Sequence, residues 1–225
     1  MRKILAGAAL AVALAAGLAA QVATKANERY QTPEDRQRMA KSLADPGRDQ
    51  AQKPGVLMSQ MGLQPGMTVA DVGTGVGHLL PYLSRRVGEK GHVIAEDIFD
   101  DFLAAAKQVA TGEKLANVTF VKGDETDPKL PEAGVDMVLA FDVYHHFDYP
   151  EKMLAGIYKA LRADGKLVVV EYYKREAAMP NGGALTHIRL DMPDLIKELE
   201  ANRFHLVEER ERIKNVEYML ILEKS

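Results

Sequence analysis

The chain has 225 residues, a formal net charge of -3, 47% hydrophobic residues and 27% charged residues, enough to bury the core of one α/β domain and too little for two. Acidic and basic residues are nearly balanced and scattered, so phosphate-driven binding of DNA or RNA is not expected. Cysteine is absent, which excludes disulfides, thiolate metal sites and a lipid-bearing cysteine.

Met1, Arg2 and Lys3 precede an uncharged Ala/Leu/Val run that ends at Ala20, the order of a charged n-region and an apolar h-region. Residues 1–20 are expected to be a signal peptide, with Gly17, Ala19 and Ala20 suited to a signal peptidase and a mature chain starting near Gln21. If uncleaved, the run would be an inner-membrane anchor, since it approaches the ~20 residues of a spanning helix. Either version exports the domain, to the periplasm or to the outer face of the inner membrane. Residues 21–52 read as a polar, helical lead-in on the surface, broken at Asp45-Pro46-Gly47.

From residue 53 onward one domain is expected, in which short β-rich runs alternate with segments of helical period. The predicted strands are Thr68–Val72, His92–Asp97, Val118–Lys122, Val135–Phe141 and residues 166–172. Runs such as Met137-Val138-Leu139-Ala140-Phe141 are apolar without alternation, as strands covered on both faces must be. Residues 149–162 carry Met153, Leu154, Ile157, Tyr158 and Leu161 on one helical stripe, with Asp148 and Glu151 as a predicted capping box. A helix is expected to start after Asp191 and run to about Asn202, and two strand-like runs around Lys214-Asn215 predict a closing antiparallel hairpin at the sheet edge. Glu208 to Arg212 are expected to decorate a solvated edge, and the methionines to fill core.

The strongest local pattern is Asp71-Val72-Gly73-Thr74-Gly75-Val76-Gly77, which leaves a buried strand and enters a helix through a glycine turn. Such a turn lets backbone approach a nucleoside-type cofactor, and N–H groups at the helix start can receive an anion. Acids recur at successive strand ends: Asp71, Asp97 followed by Ile98, Asp124 followed by Glu125, and Asp142. In an open α/β sheet these ends face one crevice where strand order reverses. There Asp97 can accept from ribose hydroxyls, Asp124 from an adenine amino group, and Asp71 can favour an ammonium group.

On these residues the chain resembles the class I S-adenosylmethionine-dependent methyltransferases, from about Lys53 to the C-terminus. The resemblance implies a Rossmann-like three-layer α/β/α sandwich whose seven-stranded, mostly parallel sheet ends in an antiparallel hairpin strand. It also implies S-adenosyl-L-methionine as cofactor, held by Asp71, Gly73, Gly75, Asp97, Asp124 and the start of Asp142-Val143. Asp45-Pro46-Gly47-Arg48-Asp49 with Gln52-Lys53-Pro54, together with Asp142-Val143-Tyr144-His145-His146, is similar to a poorly characterised group of bacterial methyltransferases that often carry signal peptides. That group commonly has tryptophan before the glutamine; here the position is Ala51 and the chain has no tryptophan, so no aromatic lid over the pocket is expected.

Methyl transfer needs mainly positioning and exclusion of water, and a base only for a protonated acceptor. The candidates for that base are Tyr144, His145 and His146, then Tyr172, Tyr173 and His187. No metal site is expected, because adjacent histidines in an extended segment point apart. Residues 179–190, with Pro180 and Gly182-Gly183, are expected to be a mobile flap beside the pocket, and the acceptor a small molecule. Two rival classes use part of the pattern. An NAD-dependent oxidoreductase would want glycine where His78 stands, and an exported, non-catalytic nucleoside-binding protein would keep the fold without the chemistry. Oligomeric state is not legible.

Overall fold

Five parallel strands, rich in Val, Ala, Ile, Leu and Phe, form the centre of the computed structural model, which describes residues 21–225; the predicted signal peptide lies outside the described residues. The strands are β1 (Thr68–Val72), β2 (His92–Asp97), β3 (Val118–Lys122), β4 (Val135–Phe141) and β5 (Leu161–Tyr172), followed by β6 (Phe204–Ile213) and β7 (Glu217–Lys224). They form one seven-stranded sheet in the order β3-β2-β1-β4-β5-β7-β6. β7 runs antiparallel to both β5 and β6, so the predicted Rossmann-like sandwich with a closing hairpin is what forms. Between β1 and β4 the strand order reverses, and a crevice opens beyond their carboxyl ends.

The helices are α1 (Thr24–Asn27), α2 (Pro33–Leu43), α3 (Gly47–Gln52), α4 (Pro54–Gln60), α5 (Leu80–Val87), α6 (Asp100–Gly112), α7 (Pro150–Ala160), α8 (Ala184–His187) and α9 (Met192–Ala201). Leu57 of α4, Leu80 and Leu83 of α5 and Ala106 of α6 pack on Val69, Val93 and Leu139 on one face of the sheet. On the other face Leu154 and Ile157 of α7, with Leu195 and Leu199 of α9, pack on Val138, Ala140 and Val169. Met58, Met61, Met137 and Met153 are buried in these two cores, as predicted. Among the described residues no helix is long and apolar enough to cross a membrane.

Several local expectations are corrected. Helix α7 ends at Ala160 because buried Leu161 already pairs with Val135, ahead of an irregularity that resets the register to Lys166 against Met137. The Asp148 capping box does not form: Tyr149 is the N-cap, without a side-chain cap bond. Asp148 instead accepts from the Ala23 amide at 3.2 Å and from Asn27 Nδ2 at 3.0 Å, so a long-range partner wins over a local one. The cap at Asp191, which accepts from the Asp194 amide, is as expected.

The lead-in is helical, as expected, but it does more than lie on the surface. Helix α2 is polar, with no buried residue, yet Arg36, Met39 and Leu43 from it line the crevice. Residues 21–52 therefore roof the carboxyl edge of the sheet. The expected flap is two short helical turns, Pro180–Gly182 and α8, seated on a small cluster of Ala178, Ala184 and Ile188.

Of the charged run in β6, Glu208 and Arg210 do pair on the surface, but a bulge between Glu211 and Ile213 turns Arg212 inward. Its guanidinium is buried against Glu217, with Nε 2.8 Å from Oε2, and also donates to the Gln52 carbonyl. One buried ion pair thus fastens the closing hairpin to the roof. Removing one partner of such a pair leaves an uncompensated charge. Arg212→Ala is expected to cost about 3–5 kcal/mol in urea denaturation; a loss below about 1 kcal/mol, typical of exposed pairs, would contradict this anchoring.

Candidate active site

The glycine elbow after β1 is shaped by close approach. Gly73 has φ 71°, and a Cβ there would lie 2.3 Å from Val143 Cγ2; at Gly77 one would lie 3.0 Å from Ala106 Cα. Neither position tolerates a side chain, so the elbow can press against the β4 loop and α6. Its N–H groups are not the free donors expected. Gly73 donates to Glu96 Oε2 at 3.2 Å, Thr74 to the Glu96 carbonyl at 2.8 Å, and Gly75 to Asp97 Oδ2 at 2.9 Å. The end of β2 captures these donors, which fixes both the elbow and the two acids.

Around the elbow lies a cavity of about 710 Å³, a size suited to a small-molecule site. Of the predicted cofactor residues, Asp71, Gly73, Thr74, Gly75, Asp97, Ile98, Asp124, Glu125 and Asp142 border it, while Gly77 sits behind as a packing residue. Asp71 is 3% exposed and accepts from Thr74 Oγ1 at 2.7 Å. Burial pushes its carboxyl up to about 7, against the pull of the Thr74 bond and with a push from Asp97. Asp97, 5% exposed, also accepts from the Phe99 amide at 2.9 Å, yet burial still lifts it to about 6. Asp142 is lifted to about 7, chiefly by burial, with His145 opposing and Glu171 reinforcing. Its φ of 53° is left-handed, a strained conformation for a residue with a side chain and one that recurs at functional sites.

Asp124 borders the cavity, as expected. Its Oδ1 accepts from the Thr126 amide and hydroxyl and from the Asp127 amide, and its Oδ2 pairs with Lys129 at 2.9 Å. These bonds close its own turn, hold the carboxyl well below the usual range and fix its orientation, while Oδ2 keeps acceptor capacity beside Lys129. Glu125 is exposed, 3.4 Å from Gln21 Nε2.

Tyr144 is corrected outright. It is buried in the α7 and α9 core with its hydroxyl on Glu198 Oε1 at 2.8 Å, and it does not reach the cavity. Tyr172 borders the cavity, whereas Tyr173 packs against the core and stands 5.0 Å from the Tyr218 ring.

His145 and His146 do border the cavity, and His187 of α8 joins them. The segment Tyr144–His146 is a 3-10 turn and not extended, so the two adjacent rings lie 4.1 Å apart and do not point apart. His145 Nδ1 lies 2.9 Å from both oxygens of Glu171, itself 2% exposed, and His145 Nε2 lies 3.1 Å from His187 Nε2. Burial would lower the His145 pKa, but the Glu171 charge and hydrogen bond outweigh it and raise it. His146 is held far below the usual imidazole value by burial and its two histidine neighbours, and His187 is brought down to about 4 by burial and by His145.

Sequence reasoning missed Glu96, Tyr30 and Arg48. Glu96 is 1% exposed and keeps Oε1 without a partner; its place beside Asp97 in a buried strand was a usable signal. Tyr30 stacks on Phe99 at 6.1 Å and meets His146 edge-on at 4.9 Å, which corrects the expectation of no aromatic lid: tyrosine and phenylalanine supply one where tryptophan is absent. Arg48 brings the lead-in's positive charge to the cavity, and only the Asp-Pro-Gly-Arg-Asp motif hinted at it.

A reversed crevice with a glycine elbow and acids at β1 and β2 defines the class I methyltransferase arrangement. A family model described as a methyltransferase domain matches residues 63–222, and the chain belongs to that family, the S-adenosyl-L-methionine-dependent methyltransferases. The chain is 33% identical over 124 residues to a ubiquinone/menaquinone biosynthesis C-methyltransferase UbiE of Marinomonas sp. (strain MWYL1), covering 54% of this chain and 49% of that protein. It thus spans about half the length of the curated relatives it matches. The crystal structure of a SAM dependent methyltransferase from Aquifex aeolicus superposes with a TM-score of 0.75 at 28% identity, covering 82% of this chain and 96% of that one. The [4+2]-cyclase SpnF superposes with a TM-score of 0.65 at 18% identity over 77% and 80% of the two chains, a likeness of fold alone.

The donor set fits the family's cofactor. Asp71 and Asp97 are buried carboxylates raised by burial, so a ligand with an ammonium and ribose hydroxyls supplies what they lack. An acid whose pKa is raised by folding holds its proton more tightly in the folded chain. Its stabilisation is complete below the ordinary carboxylate range and lost as pH rises through about 7. Without cofactor, Asp71→Asn is expected to flatten that part of the decline in thermal stability between about pH 4 and 7. In the unchanged chain, cofactor binding near pH 6.5 is expected to release protons, read by calorimetry in buffers of different ionisation heat. Equal pH slopes for both chains would contradict the buried, protonated Asp71.

Proposed function

We propose that the protein transfers a methyl group from S-adenosyl-L-methionine to a small-molecule acceptor by in-line displacement. The observation that carries this reading is one cavity bordered both by the Asp71 and Asp97 acids and by the His145, His146 and His187 cluster. S-adenosyl-L-methionine supplies an electrophilic methyl group on a sulfonium. In this reading Asp97 accepts from the ribose hydroxyls, Asp71 receives the ammonium and Arg48 meets the carboxylate. Tyr30 and the roof of residues 21–52 exclude water, which favours displacement over hydrolysis.

The acceptor's proton passes to the His145 and His187 pair. Their Nε2 atoms are 3.1 Å apart, a distance at which one nitrogen must donate and the other accept. Glu171 behind His145 Nδ1 stabilises the imidazolium that forms, and so orients the ring. Tyr144 has no part in this step. An acceptor with an ionisable hydroxyl suits the arrangement, and the neutral balance of surface charge favours a small molecule over nucleic acid.

We also propose that the domain is exported. Val22 and Ala23 are already hydrogen-bonded to Asp148, so processing near Gln21 would leave the docked lead-in whole. N-terminal sequencing of the purified protein tests this, and retention of residues 1–20 in a soluble cytoplasmic fraction would overturn it.

Incubation with S-adenosyl-L-methionine and fractionated cell extract or a panel of small phenols is expected to yield S-adenosylhomocysteine. His187→Ala is expected to lower kcat by roughly 10²–10⁴, the range for loss of a positioned base, with cofactor affinity retained. Cofactor binding without any demethylated product in any fraction would favour a non-catalytic nucleoside-binding protein.

A further inference from the structure

The histidine cluster has features that proton transfer alone does not require. One ring nitrogen from each of His145, His146 and His187 lies within 4.8 Å of the other two. Three imidazoles are the protein ligands of open, tetrahedral zinc sites, which leave a fourth position for water or substrate. Two ligands held at about 2.0–2.1 Å in that geometry stand about 3.3–3.4 Å apart, and His145 Nε2 and His187 Nε2 are already 3.1 Å apart.

The outer partners fix the tautomers in the same sense. Asn27 Nδ2 donates to the His146 carbonyl at 3.1 Å and to Asp148 Oδ2 at 3.0 Å, which turns Asn27 Oδ1 toward His146 Nδ1 at 2.8 Å. An oxygen acceptor there requires the proton on Nδ1 and leaves the lone pair on Nε2. Glu171 imposes the same choice on His145. A carboxylate or amide oxygen on the far nitrogen is the arrangement that orients metal-bound histidines. Asp142 and Glu171 also place a ligand oxygen each within 4.8 Å of a His145 ring nitrogen, so the negative charge a cation needs is at hand.

We propose that His145, His146 and His187 bind a divalent first-row transition-metal ion through ring nitrogens, with Glu171 and Asn27 as positioning residues and an open ligand position toward the cavity. Imidazole ligands suit zinc and its neighbours in the series and disfavour magnesium or calcium. With the ion bound, the proton shared by His145 Nε2 and His187 Nε2 is displaced to solvent, and these nitrogens act as ligands in place of a base. An acceptor hydroxyl at the open position would be acidified by the ion's charge and lose its proton to solvent, which narrows the acceptor class to small molecules with a metal-ligating oxygen. Ion binding itself does not depend on the methyl-transfer reading.

Zinc tests this on the full chain carrying no affinity tag, stripped with EDTA and dialysed. Elemental analysis after zinc addition and dialysis is expected to find one ion per chain, and cobalt in its place to give the visible absorption of a tetrahedral site. His187→Ala, on the short α8, is expected to weaken zinc affinity at least about tenfold, and Glu171→Gln by about 10–100-fold. His205→Gln, at an exposed position, is expected to bind as the unchanged chain does. Retained S-adenosyl-L-methionine affinity in His187→Ala reports that the fold survives, so the test does not hang on the buried Glu171 variant. No zinc retained by the unchanged chain, or equal affinity in His187→Ala and His205→Gln, would overturn the site. Zinc retention without S-adenosylhomocysteine formation would count against methyl transfer alone, and product formation by a chain that holds no zinc would count against the metal alone.

Discussion

Everything in this molecule's working edge depends on holding carboxylates out of water at the tips of β1, β2 and β4, where, among the described residues, no Lys or Arg is paired with Asp71, Asp97 or Asp142. Asp71, Asp97 and Asp142 are each raised by burial, and Glu96 beside them keeps an unpartnered oxygen. Desolvated acids of this kind oppose folding in their charged form. The two apolar cores on the faces of the sheet offset that cost, and the cavity keeps the attraction for a cationic ligand that solvent would otherwise screen.

The glycine elbow is the mechanical counterpart of that electrostatic arrangement. Because Gly73 and Gly77 have no side chain, Val143 and Ala106 close in on the turn, and the Gly73, Thr74 and Gly75 amides reach across to Glu96 and Asp97. The acids at β2 are therefore fixed by the backbone of the β1 elbow, and a change in one is felt by the other. At the far wall the left-handed Asp142 and the 3-10 turn after it swing His145 and His146 onto one side, where Glu171 and α8 meet them. The roof, tied down by Arg212 through Gln52 and by Asp148 through Ala23 and Asn27, encloses both ends.

The sheet was legible in the sequence because its strands are buried on both faces and read as unbroken apolar runs, and because Gly73, Gly75 and Gly77 mark the turn where backbone must come close. Asp71 and Asp97 were legible for the same reason, as charges at the ends of such runs. What was not legible depended on partners distant in the chain. Asp148 reads as a helix cap in the local sequence, whereas Ala23 and Asn27 claim it in the fold. Tyr144 and His145 are neighbours with opposite fates, one in the core and one at the cavity, and only the 3-10 geometry decides which. The lead-in looked like surface because α2 is polar, yet polar residues are what a roof over a charged crevice presents. Adjacent histidines point apart only where the backbone is extended, and the turn at Tyr144–His146 removes that condition.

Calorimetric titration of S-adenosyl-L-methionine into the unchanged chain and into Asp97→Ala tests the central claim most directly. A buried carboxylate that receives the ribose hydroxyls contributes about 1.5–3 kcal/mol as a charged hydrogen-bond partner. The account therefore predicts saturable binding to the unchanged chain and a loss of roughly 10–100-fold in Asp97→Ala. Equal affinity in the two chains would contradict it.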